Sequence, residues 1–193
     1  LQSIISDVYL EYAEILSTEI LQEWLTKIPN FITENVAEKR SFESALNSAW
    51  AIPLDTLEAL VDISLELGAN FNQEFRPEAL KEDDYVFEAL TRLHARACQI
   101  AGEAYVLLKS GFADGAMARW RTLHEVSVTA LFIRQVGRDV AERYLAHAHV
   151  TAYREAATYQ KHCELLGYEP LADEYMACLK ELSDGACARF DKR

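Results

Sequence analysis

Four side chains suited to phosphate binding and proton transfer lie within seven residues of the chain: Arg119, Arg121, His124 and Glu125. Guanidinium groups bind phosphate oxygens through two parallel hydrogen bonds. Imidazole is the usual proton carrier near neutral pH. We therefore take these four as the candidate catalytic residues. They lie near the start of a predicted helix over residues 115–136.

This predicted helix is apolar on nearly every side, which is typical of a central helix. At 100° per residue, Arg121, His124 and Glu125 share one face of it. Burying an unpaired charge is costly, so we expect Arg121 and Glu125 to be mostly buried and in contact with each other or with the next helix. A purely structural ion pair between them, four residues apart, is the alternative.

A second polar stripe lies on the next predicted helix, over residues 139–165. It consists of Arg143, His147, Thr151, Arg154 and Thr158. If the stripe turns toward the central helix, His147 and Arg154 meet the first cluster, and we predict Arg143, His147 and Arg154 as binding residues. The alternative is that the stripe is a solvated face.

Composition and periodicity predict an all-α protein. Half of the 193 residues are hydrophobic, and only 7 glycines and 4 prolines interrupt them. Short links make three helices antiparallel neighbours, and we expect them to form the core of a helical bundle: 83–109, 115–136 and 139–165. Further helices are predicted over residues 3–27, 31–50, 53–68 and 170–183, with Pro29 ending the first. Residues 69–82 are predicted to form a loop with a short turn of helix after Pro77.

Charge is distributed unevenly along the chain. The formal net charge is −12, and residues 1–90 alone carry 5 basic against 18 acidic residues. Residues 109–154 carry 7 basic against 4 acidic residues, so the positive charge is concentrated around the candidate site. An acidic chain is a poor non-specific binder of nucleic acid, although a local basic cleft can still hold a phosphate. We predict an acidic helical extension over residues 1–82 and a bundle with the candidate site over 83–193.

The sequence contains none of the common metal, nucleotide or cofactor motifs, and we predict no cofactor. Its four cysteines form no C-x-x-C pair, and we interpret them as reduced thiols. No run of about 18 apolar residues predicts a membrane span. No signal peptide is visible either, so we expect a cytoplasmic location.

The segment from Arg119 to His124 has an R-x4-H pattern. It resembles the signature of HEPN domains (higher eukaryote and prokaryote nucleotide-binding), which are α-helical bundles. Many of them are metal-independent RNases, often dimeric, in toxin–antitoxin and antiviral systems. The resemblance implies that Arg119 holds phosphate and that His124 assists attack by the 2′-hydroxyl. The sequence departs from that family in having Trp120 after the arginine, and five residues of separation place Arg119 and His124 about 140° apart on the helix.

A second resemblance covers residues 93–149. The turn at Ser110-Gly111, the segment Arg121-Thr122-Leu123-His124-Glu125, and the helix with Tyr144 and His147 resemble an uncharacterised bacterial helical family with an R-T-L-x-E core. This resemblance implies a fold and a site without a settled activity.

Together these observations predict a bacterial helical module of defence or toxin type, acting as a metal-independent endoribonuclease. RNA and a second copy of the chain, or a partner protein, are the expected partners. The alternatives are a non-catalytic helical interaction module and a ligand-sensing module.

Overall fold

Long stretches without helix breakers fold as predicted into helices joined by short turns. The computed structural model describes the backbone of residues 2–190 and the side chains of Tyr9 and residues 12–190. Over that range it contains six helices and no strand: α1 (Gln2–Ala49), α2 (Ala51–Lys81), α3 (Tyr85–Lys109), α4 (Ala113–Val136), α5 (Arg138–His162) and α6 (Asp173–Phe190). The prediction of an all-α fold is confirmed. None of the described helices is long and apolar enough to cross a membrane.

Two compact units are distinguished by their internal contacts. The first contains the chain up to Leu54 together with Lys109–Gly111. The second contains Asp55–Leu108 and the chain from Phe112 onward. The boundary predicted between residues 82 and 83 falls inside the second unit, and the assignment of residues 1–82 as an extension stays a prediction.

The first unit is dominated by α1, which runs straight through Pro29. The prediction that this proline ends the helix is wrong. Proline has no N–H to bond the carbonyl of Leu25, but Leu25 is exposed, so water can take that bond. At the far end of α1, the Asn47 side-chain amide lies 3.4 Å from the Lys109 carbonyl oxygen.

The second unit has its core where α3, α4 and α5 meet. Ala89 and Leu93 of α3, Ile133 of α4 and Ala141 of α5 form one buried cluster. Two of these four are alanines, which allow the helices to approach closely. The three helices predicted to form the core therefore do so, and α6 packs against α5.

Helix α2 continues to Lys81 through the stretch that was predicted to be a loop. That prediction is wrong because contacts with α3 favour the helix. The Phe71 ring stacks on Phe87 at 5.8 Å between centroids. Arg76 donates hydrogen bonds to Asn72, one turn earlier at 2.8 Å, and to Glu88 on α3 at 3.0 Å. Tertiary contacts of this kind commonly outweigh the helix-breaking tendency of single residues.

Asp84 directly precedes α3 and caps its first turn. Its Oδ1 accepts hydrogen bonds from the backbone N–H groups of Val86 and Phe87, both at 3.0 Å. A side-chain oxygen at this position satisfies amide groups that have no partner inside the helix.

Candidate functional site

The turn before α4 sets the direction in which the candidate catalytic residues project. Gly111 has a φ of +83°, and the N–H of Phe112 donates to the carbonyl of Leu107 at 2.8 Å. This bond closes α3 through a left-handed residue, a role in which glycine is favoured. Phe112 is the N-cap of α4, and Asp114 lies within the first turn of the helix.

Helix α4 is buried on one side only. Ala116 and Ile133 are fully buried, and Val126 and Ala130 pack against the core cluster. The opposite side exposes five large apolar side chains, between 51% and 62% accessible, which we call the α4 apolar face: Met117, Trp120, Val128, Leu131 and Phe132. The inference of a central helix is therefore wrong, because none of the described residues covers this face.

Three of the predicted catalytic residues lie within the α4 apolar face. Arg121, His124 and Glu125 are all exposed. Among the described residues, Arg121 and Glu125 form no ion pair with each other or with any other side chain. The predicted burial of Arg121 and Glu125 is wrong, since no residue with a described side chain covers the side of the helix on which they lie. Their catalytic roles stay predictions.

Arg119 lies on the core-facing side of α4, in line with Val126, and its side chain reaches α3. Its guanidinium is 3.2 Å from a carboxylate oxygen of Glu103, and both side chains are a little over one-third exposed. Exposed pairs of this kind contribute about 0–1 kcal/mol. Glu103 therefore positions the Arg119 guanidinium. Because this ion pair contributes so little free energy, a competing anion can replace the Glu103 carboxylate.

The polar stripe of α5 does not join the α4 residues. Arg143, His147 and Arg154 are exposed. The Thr151 hydroxyl lies 3.3 Å from Nδ1 of His147. No hydrogen bond among the described residues connects this stripe to Arg121, His124 or Glu125, so within one chain it behaves as a solvated face.

Sequence reasoning missed a cluster of charges that joins α2 to α3. Glu88 accepts from Arg92 at 2.6 Å through one oxygen and pairs with Arg76 at 3.0 Å through the other. Burial acts to raise the pKa of Glu88, but hydrogen bonds and charges from Arg92 and Arg76 outweigh it and lower that pKa below its ordinary value of 4.5. The Glu88–Arg92 spacing of four residues was readable from the sequence. The approach of Arg76 depends on how α2 packs.

Next to this cluster, an open groove of about 840 Å³ is lined by the end of α2, the start of α3, and facing parts of α5 and α6. Glu142 of α5 and Arg189 of α6 form an ion pair in it. None of the seven predicted site residues lines this groove. The chain therefore has two separate surfaces of interest, the α4 apolar face and the groove.

Residues 87–188, just over half of the chain, match the sequence profile of a family of unknown function, DUF5677. The chain belongs to this family. The DUF5677 region contains nearly all of α3, the whole of α4 and α5, and most of α6, and thus the core cluster and the α4 apolar face. Comparisons with curated proteins and with solved structures gave no significant match.

Proposed function

We propose that the chain is a helical interaction module that pairs with a second copy of itself through the α4 apolar face. The observation that supports this proposal is the exposure of five large apolar side chains along one side of α4. Contiguous apolar surface of this kind usually marks a site of protein–protein contact. The face lies inside the DUF5677 region, so we expect the pairing to be a property of that region.

The charges on the face favour a second copy as the partner. Arg121 and Glu125 are opposite in sign, exposed, and unpaired with each other. In a two-fold interface, residue i of one copy contacts residue j of the other, and the reverse contact also forms. Two antiparallel α4 helices crossing near residue 123 would pair Arg121 with Glu125 of the second copy twice. A face with both charges is therefore complementary to itself.

The apolar contribution is large enough for a reversible dimer. Fully burying one such side chain contributes about 1.5–3 kcal/mol, and about half of that is available here because each residue is already about half-buried. Over the ten side chains of two copies this amounts to roughly 10 kcal/mol. Association costs about 4–15 kcal/mol. We therefore expect a dimer that dissociates on dilution.

A charge exchange tests the pairing. Arg121→Glu and Glu125→Arg should each weaken the dimer in sedimentation equilibrium, because each places like charges in contact. The double variant should restore the wild-type dissociation constant. Lys161→Glu, an exposed charge reversal at the end of α5, is the matched control. A wild type that stays monomeric at all concentrations, or a double variant as weak as the single ones, would contradict the proposal.

A second candidate function is metal-independent RNA cleavage at a site built across this dimer, as in toxin and antiviral-defence systems. The observation that favours it is the exposure of His124 in the middle of the α4 apolar face. His124 lies one residue from the midpoint between Arg121 and Glu125, so the proposed crossing brings two imidazoles close to the two-fold axis. Arg121 of each copy would lie about one turn of helix from its own imidazole, and a phosphate would compete with Glu125 of the second copy for that guanidinium. The resemblance of the Arg119–His124 segment to HEPN domains supports the same activity.

Cleavage of single-stranded RNA in the presence of a chelator tests this candidate. His124→Ala should abolish cleavage while leaving the melting temperature of the single chain unchanged, because His124 is exposed there. Cleavage is compared at concentrations at which sedimentation equilibrium shows both proteins to be dimeric. A positioned proton-transfer group contributes about 10²–10⁴ in rate. His162→Ala, which removes an exposed histidine outside the face, is the control. A wild type that dimerises but never cuts RNA would leave the interaction module as the function.

A further inference from the structure

The groove between the α2–α3 turn and the α5–α6 pair has the size of a ligand-binding site. Its volume of about 840 Å³ lies within the range of known small-molecule pockets, about 300–1,000 Å³. Leu145, Leu182 and Phe190 supply large apolar side chains to its lining, together with several alanines. Leu145 also packs against the core cluster, so this part of the groove is backed by the rigid core of the unit.

Aromatic rings in the groove already face positive charges. The guanidinium of Arg76 lies 5.8 Å from the centre of the Phe87 ring, and that of Arg189 lies 5.5 Å from the centre of the Phe190 ring. Arg138 is 4.8 Å from the centre of the Tyr85 ring. The face of an aromatic ring attracts cations through its quadrupole. These three contacts show that each of the three rings already has a guanidinium against one face.

The carboxylates of the groove exceed its cations. Three arginines and five acidic residues line it, which leaves a formal charge of −2. All three arginines are already in ion pairs, since Arg76 and Arg92 share Glu88 and Arg189 pairs with Glu142. These three arginines and two carboxylates sum to +1, and Asp83, Asp84 and Glu181 contribute −3. The side chains of Asp83 and Glu181 are exposed and take part in no ion pair with any residue whose side chain is described.

We propose that this groove binds a small amphipathic organic cation, with an apolar body and a single ammonium or guanidinium group. The apolar body packs on Leu145, Leu182 and Phe190. The cationic group lies near Glu181 or Asp83, where an exposed carboxylate has no ion-pair partner among the described residues. An anionic amphiphile of the same shape makes the same apolar contacts, but the carboxylates of the groove repel its head group. The site is separate from the α4 apolar face and does not depend on its pairing.

Calorimetric titration of the full chain with decylammonium and with decanoate, each below its aggregation threshold, tests the proposal. The two probes share an alkyl chain and differ in the sign of the head group. Decylammonium should bind saturably, at one site per chain, and at least about fivefold more tightly than decanoate, as one exposed charge contact implies. Equal affinity of the two probes, or no saturable binding of decylammonium, would overturn the proposal.

Charge reversal in the groove provides the second measurement. Glu181→Lys should weaken decylammonium binding about tenfold and strengthen decanoate binding, because it replaces an attractive contact by a repulsive one. Glu174→Lys makes the same change in net charge on an exposed turn of α6 that does not line the groove. It should leave both affinities within about twofold. If Glu174→Lys has the same effect as Glu181→Lys, the response comes from overall charge and the site assignment is wrong.

Discussion

The imidazole of His94 on α3 occupies the space that Gly68 leaves open on α2. A Cβ atom at position 68 would lie 2.3 Å from Nε2 of His94. The same nitrogen is 2.9 Å from the carbonyl oxygen of Ser64, so Nε2 donates to that oxygen. The Cys98 thiol lies 3.5 Å from this nitrogen, and burial raises the pKa of that thiol above its ordinary value. His94 and Gly68 therefore fix the approach of α3 to α2.

A double-mutant cycle measures this relationship. In the His94→Ala background, Gly68→Ala should stabilise the chain by up to about 1 kcal/mol, because alanine is the better helix former. With His94 present, the same change displaces the ring from the Ser64 carbonyl and should be neutral or destabilising. The difference between backgrounds, obtained from urea unfolding, should be about 0.5–3 kcal/mol. Equal effects in both would show that the ring and the glycine are not coupled.

Gly68 also shows why the end of α2 could not be predicted from the sequence. Glycine often follows the last residue of a helix, so Gly68 was predicted to end one. In the structure α2 continues past it to Lys81. The glycine is present because a side chain from α3 lies against the backbone of α2 there. A requirement set by a residue 26 positions away cannot be read from local pattern.

The turn between α3 and α4 contains a glycine of a different kind. Gly111 has a φ of +83°, and a Cβ there would lie 2.5 Å from the Phe42 ring. Gly111→Ala should destabilise the chain by about 1–3 kcal/mol because of the left-handed backbone and the ring contact. Gly102→Ala is the matched control in the middle of α3, where a Cβ meets nothing within 4 Å. It should stabilise by about 0.5–1 kcal/mol. A neutral Gly111→Ala in chemical unfolding would contradict this account of the turn.

Helix positions were largely predictable from the sequence, and the environment of each helix was less so. The predicted helices over 115–136 and 139–165 correspond to α4 and α5 within a few residues, because apolar spacing and the glycines at 111 and 137 mark their ends. The prediction that α4 is buried was wrong. Hydrophobic periodicity shows that one side of a helix is apolar, but it does not show that another helix covers that side. Arg121 and Glu125 are exposed for that reason.

Glu88 should make stability depend on pH. Its folded-state pKa lies below the ordinary 4.5, so its contribution is fully present above pH 4.5 and is lost as pH falls through the folded value. At pH 7, Glu88→Gln should be less stable than wild type by about 1–2 kcal/mol, because Gln removes the negative charge and one of the two acceptor oxygens that bind Arg92 and Arg76. That gap should narrow below pH 4.5. Thermal melts across this range measure it, with Glu78→Gln, an exposed position on α2, as the control. A gap that stays constant with pH would contradict the ion-pair explanation.

The ion pair between Arg119 and Glu103 allows the RNA hypothesis to be tested at the binding step. In the absence of RNA, the 3.2 Å contact partly neutralises Arg119. If Arg119 contacts a phosphate, Glu103→Gln should tighten the binding of single-stranded RNA, because the guanidinium no longer exchanges one carboxylate for another anion. Arg119→Ala should weaken binding and reduce the slope of log affinity against log salt by about 0.7, the value for one phosphate contact on a single strand.

Arg134→Ala is the control for that measurement, since it removes an exposed arginine at the other end of α4 and changes the net charge equally. It should leave the salt slope unchanged, because Arg134 lies more than three turns of helix beyond Arg119. Fluorescence anisotropy with labelled RNA at several salt concentrations gives the slopes. If Arg119→Ala and Arg134→Ala lower the salt slope by the same amount, RNA is attracted by the overall positive charge of α4 and not by a specific contact with Arg119. In that case the phosphate-binding role of Arg119 fails, while pairing through the α4 apolar face is unaffected.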